Sequence, residues 1–271
     1  MIFKIAGRRN IDNYALITIN YIVATSLGFS LGGIPRINGF SGGWYIMALI
    51  IGILFIAIFL VMAVTTQKSG MAVSTIASKM SVAIPITFSI IMFSEEVSAQ
   101  KIMAIILALA AVLFTVYRKS NGIRLSWQVI FLPLILFLGT GTIDSLVKYS
   151  QEVYVSSGDS IQFSSMLFLV SALSGIVVIA FRPASRKEAL SKDVILTGLI
   201  LGIINFGSLF GLINALESNI FDSSVLFGIN NIGIVMLSVI IAVLFFREKL
   251  LLINKIGIIL SILSILLLSF V

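Results

Sequence analysis

Residues 248–257 read Glu248-Lys249-Leu250-Leu251-Leu252-Ile253-Asn254-Lys255-Ile256-Gly257, and the chain runs on without another charge, as IILSILSILLLSFV, to Val271. A helix rises about 1.5 Å per residue, so about 20 apolar residues cross the roughly 30 Å of hydrocarbon in a bilayer. Residues 251–271 form one such stretch. Comparable runs occupy 13–31, 44–66, 71–93, 99–117, 127–149, 161–181, 193–215 and 223–246. Nine membrane spans are predicted, in an all-α integral membrane protein.

The composition agrees. Of 271 residues, 59% are hydrophobic and 11% charged, with a mean hydropathy of +1.16. A soluble domain needs a far larger charged fraction to cover its surface. The connections are short and carry local breakers (Gly32-Gly33-Ile34-Pro35, Asn121-Gly122, Ser157-Gly158-Asp159, Pro183), which leaves no room for a soluble domain. The net charge of +7 sits in these connections. Alternating the spans puts 1–12, 67–70, 118–126, 182–192 and 247–256 on one side, with fourteen Lys and Arg, against Arg36, Lys101 and Lys148 on the other. Basic loops stay cytoplasmic, so this asymmetry predicts a cytoplasmic start and an external C-terminus, and it excludes nucleic acid as the partner that the basicity serves. With neither Cys nor His, disulfides, thiolate chemistry, zinc and the usual near-neutral proton acceptor are excluded. Proton coupling would fall to carboxylates or lysine.

The opening stretch has an earlier counterpart. Glu95-Glu96-Val97-Ser98-Ala99-Gln100-Lys101-Ile102-Met103-Ala104 also closes one span with a glutamate and places a small residue nine positions on, at an offset of 153 residues. The halves are 1–117 and 127–271. An odd number of spans per half inverts the two copies in the membrane. The second half opens with a full span at 127–149, whereas the first has only Met1-Ile2-Phe3-Lys4 at that place. A first helix is expected to be largely absent, through a truncated start or a natural nine-span form.

Pro85 within the third span, Glu95 at its end and Ala104 in the next helix, with Glu248 and Gly257 in the second copy, resemble the drug/metabolite transporter superfamily, specifically its EamA-like bacterial members. Ser238 stands where that pattern would have a second proline. The resemblance covers essentially the whole chain. It implies ten helices arranged as two inverted five-helix repeats, here minus most of helix one, around a central cavity. It also implies substrates such as amino acids, other metabolites or drugs, and a multi-pass place in the bacterial inner membrane.

Lys79 is the sharpest single feature, a cation in mid-span with Ser74, Thr75, Ser78 and Ser81 nearby. A charge at the bilayer centre costs at least about 2.5–3.5 kcal/mol and needs a partner or water. No acid lies one turn away on its own helix, so the counter-ion is another helix's acid or a bound anion. Lys79 is therefore a candidate anchor for a substrate carboxylate or phosphate, against a structural ion pair or a snorkelling lysine. Asp144 and Lys148, at i and i+4, share a face with Thr140 toward the outer end of their span. They read as an interfacial ion pair or as a gate with a proton-carrying Asp144. Asn230 and Asn231 fall in the span matching that of Lys79, with Asn231 aligned to Ser78. The two amides and Ser78 are candidate substrate contacts, against interhelical hydrogen bonds worth about 0.6–2 kcal/mol. Asn20, Tyr21 and Asn205, with Ser208, are candidate wall residues. Asn214, near a span end, reads as interhelical glue. Glu95 and Glu248 read as capping or gating residues. Gly198-x3-Gly202, Gly207-x3-Gly211 and Ala104-x3-Ala108 are expected to mark close helix contacts.

These features favour a secondary transporter, by efflux or exchange, of a small metabolite such as an amino acid or organic anion. No Gly-rich phosphate loop ending in Gly-Lys-Ser/Thr is present, so a gradient would drive it. A membrane enzyme is disfavoured, since no convergent nucleophile, base or metal set exists and Ser145-x-x-Lys148 lacks its companion elements. No catalytic residue, cofactor or metal is expected. The expected partners are a small molecule and the bilayer, in a monomer or homodimer. A non-transporting scaffold or a lipid- or drug-handling flippase-like protein is the alternative.

Overall fold

The structure, a computed structural model, describes residues 1–33, 43–92, 98–117, 127–155, 159–217 and 223–270. These form twelve helices and no strand. In order they are α1 (Ile2–Arg8), α2 (Asn13–Gly32), α3 (Gly43–Lys68), α4 (Met71–Met80), α5 (Ala83–Met92), α6 (Ala99–Val116), α7 (Trp127–Val153), α8 (Ser160–Ala180), α9 (Pro183–Glu188), α10 (Lys192–Glu217), α11 (Ser223–Leu244) and α12 (Leu252–Ser269). Among the described residues eight segments are long and apolar enough to span a membrane, with α4 and α5 together forming one, Met71–Met92. α11, 22 residues long, contributes a shorter apolar run over Ile229–Leu244. The chain is a multi-pass α-helical membrane protein.

Its helices are apolar outside and polar within. On α12 Leu252, Ile256, Ile259, Leu263 and Leu266 are exposed at helical spacing, while Asn254, Gly257, Ser261 and Ser264 are buried. Only hydrocarbon makes such a surface stable, because water would penalise each exposed Leu and Ile.

The chain divides into two compact units. The first comprises Met1, Val61–Ser145 and Ala215–Val271, hence the end of α3, α4–α6, most of α7, α11 and α12. The second comprises Ile2–Leu60 and Leu146–Asn214, hence α1, α2, most of α3, the end of α7, and α8–α10. The sequence halves 1–117 and 127–271 each supply helices to both.

In the first unit α12 lies along α6, and α11 along α4. Ala104, Ala108 and Ala111 present small side chains from α6, and a Cβ on Gly257 would stand 3.0 Å from the Ala111 carbonyl oxygen. Small residues let the backbones approach, and polar groups then bond across. Ser264 Oγ donates to the Ala104 carbonyl at 2.8 Å, and Gln100 Nε2 to that of Leu267 at 2.9 Å. Asn254 Nδ2 reaches the carbonyls of Phe114, Thr115 and Tyr117 at 2.9–3.0 Å, satisfying C-terminal acceptors of α6 that its own ladder leaves free.

In the second unit α2 packs along α8, with Ser171 Oγ donating to the Gly52 carbonyl of α3 at 2.8 Å. Asp12 caps α2, its Oδ1 accepting from Ala15 N–H at 2.8 Å. Its Oδ2 accepts from Ser185 Oγ of α9 at 3.0 Å, and its own N–H donates to Glu188 at 3.1 Å. Arg182 stacks on the Tyr14 ring, 3.9 Å from its centroid. Residues 1–12 and 182–192 thus meet in this unit. In the first unit, 254 likewise meets 114–117 and 248 meets 71. The alternation of spans assigns the members of each pair to one side of the membrane, or to span ends adjoining it.

Two differences from the sequence reading concern helix contacts and length. A Cβ on Gly198 or Gly202 would run into Ile19 or Val23 of α2, but one on Gly207 or Gly211 would meet nothing within 4 Å. The first pair marks a close contact and the second does not. α7 continues to Val153, so Asp144 lies within its span and not toward its end.

Candidate functional site

Met71–Met92 is broken in the middle because of Pro85. Proline has no N–H for the residue 81 carbonyl and its ring crowds that carbonyl. The ladder tightens there: Ile84 N–H bonds the Ser81 carbonyl at 2.9 Å and Val82 N–H that of Lys79 at 3.4 Å. Ser81 Oγ takes the Ser78 carbonyl at 2.5 Å. Lys79 therefore sits in the last turn of α4, where the negative end of the half-helix dipole favours a cation. Two half-helices meeting inside a span are a recurrent setting for charged ligands in transporters.

The acid whose charge reaches Lys79 is Asp144, from α7. Lys79 is half-buried and Asp144 keeps an accessible side chain. α7 gets close because of Gly141, where a Cβ would stand 2.7 Å from Ile84 Cβ of α5. Sequence spacing set Asp144 beside Lys148 on its own helix; the structure also puts it within electrostatic reach of Lys79 on another. Lys148, half-buried, lies one turn further along α7. One turn in the other direction is Thr140, whose buried Oγ1 has no hydrogen-bond partner. Ser89 Oγ of α5 is likewise buried without a partner, whereas other hydroxyls fold back on their own helix: Thr142 to Leu138, Ser145 to Gly141, Ser150 to Leu146 and Thr87 to Ala83, at 2.7–2.9 Å.

α4 has its N-terminus fixed from the far end of the chain. Both carboxylate oxygens of Glu248 accept from Met71 N–H, at 2.8 and 3.1 Å. Gly70 makes this possible: its φ of +102° suits glycine, and a Cβ there would stand 2.8 Å from Glu248 Oε2. Glu248 is thus placed as a cap. Since it follows α11 and holds the start of α4, the two helices run antiparallel, with Ala242 against Met71 and Ala72. At about 1.5 Å per residue, Asn231 lies within about one turn of the level of Lys79. Asn230 and Asn231 are half-buried, and their side chains make no hydrogen bond among the described residues. Ser78 is half-buried beside Lys79.

The second unit holds the other amides. Asn205 Nδ2 donates to Asn20 Oδ1 at 3.2 Å. Asn20 is wholly buried and its own Nδ2 has no acceptor. Tyr21 is committed to structure: its hydroxyl donates to the Phe55 carbonyl at 3.2 Å, and its ring lies 5.6 Å from Phe59 and 5.9 Å from Phe168. Glu95 and the side chain of Asn214 lie outside the described residues. Among those described, no group of three or more acidic, His or Cys side chains could hold a metal ion.

A sequence reading missed Thr140 as an unsatisfied donor and Asn254 as the staple to α6. Asn254 gave one signal, a lone amide in the first turn of a largely apolar helix.

No protein-family model matches the chain. It is similar to a protein of Haemophilus influenzae described as uncharacterized, 28% identical over 269 residues that cover 96% of this chain and 90% of that one.

Proposed function

We propose that the protein is a secondary transporter of a small metabolite, such as an amino acid or organic anion, and that it belongs with the EamA-like drug/metabolite transporters. The observation that carries this reading is the opposed pair Lys79 and Asp144, held inside two different spans beside a proline-broken helix. Purely structural packing rarely retains charges at that depth, where they mark substrate or ion paths. The helix pairing supports the inverted-repeat plan: α2 with α8, α4 with α11 and α6 with α12 are each helix with its counterpart in the other repeat. In this plan the first repeat lies within 1–117, the second spans 127–271, and the substrate path runs between the repeats. The basic loops favour a cytoplasmic start, and on this reading the membrane is a bacterial inner membrane.

The test is counterflow uptake in proteoliposomes with a pooled set of labelled amino acids and small organic anions. Uptake by the wild type, lost in a folded Lys79→Met variant, supports the reading. Absence of counterflow for every solute rejects it.

One observation favours a second reading, lipid or drug handling. An apolar groove of about 300 Å³ between α5, α6 and α7 is lined by Ile84, Phe88, Leu109 and Phe137. Transbilayer movement of a fluorescent lipid, with no solute counterflow, would favour that reading.

A further inference from the structure

We infer that Asp144 is a proton switch with two positions, so that a small anion and one proton bind to this site together. The inference rests on the transporter reading above, and concerns what happens at Lys79 when a substrate arrives.

Lys79 and Asp144 lie within electrostatic reach of each other, and their opposite charges together are close to neutral. An incoming carboxylate or phosphate that takes Lys79 leaves Asp144 without its counter-charge. A lone carboxylate inside a membrane span is costly, and the group responds by taking a proton. The protonated carboxyl then needs a hydrogen-bond partner. Thr140 supplies one: it lies four residues back on α7, the spacing at which helical side chains are neighbours. Its Oγ1 is buried and unbonded, while other hydroxyls of α7 are committed to their own backbones. A hydroxyl can accept from a protonated carboxyl or donate to an ionised one, so Thr140 serves Asp144 in the position away from Lys79.

Charge bookkeeping then fixes the coupling. The anion replaces the Asp144 charge at Lys79, and one proton moves from water to an Asp144 carboxyl oxygen. The loaded site stays neutral for a monoanion.

Among the described residues few other charges reach Asp144. Lys79 faces it from α4, and Lys148 lies one turn away on α7 itself. α5 and α11 carry no ionisable residue. The only one on α6 is Lys101 and on α12 Lys255, each in its first turn, and the end of α3 has Lys68 in its last turn.

Anion binding and proton uptake are measured on the purified full chain in detergent. The probes are acetate, lactate, benzoate and succinate, added pH-matched to weakly buffered protein with an indicator dye. Binding is read separately by thermal shift. The wild type is expected to take up about one proton per bound monoanion, with affinity falling about tenfold per pH unit where Asp144 is ionised beforehand. Asp144→Asn, which leaves Lys79 without its acid, is expected to bind the same anion more tightly, with no proton uptake and no pH dependence. Thr140→Val keeps anion binding at low pH and loses it at a lower pH than the wild type does.

Anion binding without proton uptake in the wild type overturns the inference, as does equal uptake in Asp144→Asn or binding of none of the probes. Counterflow of an uncharged solute with no anion binding would leave the transporter reading standing and remove this one. Proton-linked anion binding without counterflow would do the reverse.

Discussion

Replacing Gly257 by alanine sets two physical effects of opposite sign against each other. In a helix interior, Gly→Ala is worth about 0.5–1 kcal/mol in favour of folding. The structure overrides this. A Cβ at Gly257 would stand 2.9 Å from the Thr115 nitrogen and 3.0 Å from the Ala111 carbonyl oxygen, both backbone atoms of α6 that cannot rotate aside. Ordinary contact would require α12 to retreat by about 0.5 Å or more. Overpacking of this kind costs about 1–3 kcal/mol. The retreat also lengthens the bonds of Asn254 and Ser264 to α6, each worth about 0.6 kcal/mol. Packing outweighs propensity, and the expected net loss is about 1–2 kcal/mol. Gly207, Gly211 and Gly233 provide the internal control, because a Cβ there would meet nothing within 4 Å. Alanine at those sites is expected to be neutral or to stabilise. Reversible unfolding in mixed micelles by SDS titration reads all four. If Gly257→Ala is as stable as Gly207→Ala, the α6–α12 contact is wrong as described.

Glu248→Gln keeps one cap bond to Met71 and removes the charge at the start of α4. Since bonds to charged groups are worth about 1.5–3 kcal/mol, a loss of about 1 kcal/mol is expected, and Glu248→Ala should lose more; equal stability of all three would refute the cap. Lys79→Met and Asp144→Asn each leave a charge without its counter-charge and are each expected to lose stability, whereas the double variant is expected to recover part of the loss, read as coupling in a double-mutant cycle; additive losses would show that the two groups do not interact. Asp12→Ala removes the cap of α2 and a bond to Ser185, for an expected loss of about 1–2 kcal/mol, measured by thermal unfolding in detergent; an unchanged melting temperature would contradict the placement of α9 on α2. Thr140→Val is isosteric and deletes a hydroxyl that has no partner, so unfolding should show a stability unchanged or raised; a loss above about 1 kcal/mol would reveal a bond that the structure lacks.

Much of the fold was legible in hydropathy, because span length follows from bilayer thickness. Residues 99–117 were expected and α6 covers Ala99–Val116; 13–31 were expected and α2 covers Asn13–Gly32. The reading ended α7 at 149 because Tyr149, Ser150, Gln151 and Glu152 are not apolar, yet all are compatible with a helix and it runs on to Val153. α1 and α9, 7 and 6 residues long, are too short for any hydropathy window, although Pro183 and the trailing Arg186 and Lys187 were a start and a stop signal for α9. The site was legible only one residue at a time. Lys79 declared itself by its cost in the membrane, and the absence of an acid on its own helix placed its counter-charge elsewhere. That Asp144 comes within electrostatic reach of it depends on Pro85 breaking one helix and Gly141 admitting another, a tertiary fact no local spacing encodes. Spacing instead suggested Lys148, an i, i+4 neighbour. The same limit explains Gly207 and Gly211, where a small-residue motif met no opposing helix.

The most direct test of the central claim is counterflow with the charge pair altered on both sides. Proteoliposomes holding the wild type, Lys79→Met, Asp144→Asn or the double variant, each checked for folding, are assayed with the same labelled metabolite panel. The account predicts uptake by the wild type, loss in both variants lacking Lys79, and exchange that survives in Asp144→Asn but no longer responds to a pH gradient. Undiminished uptake by Lys79→Met would contradict it.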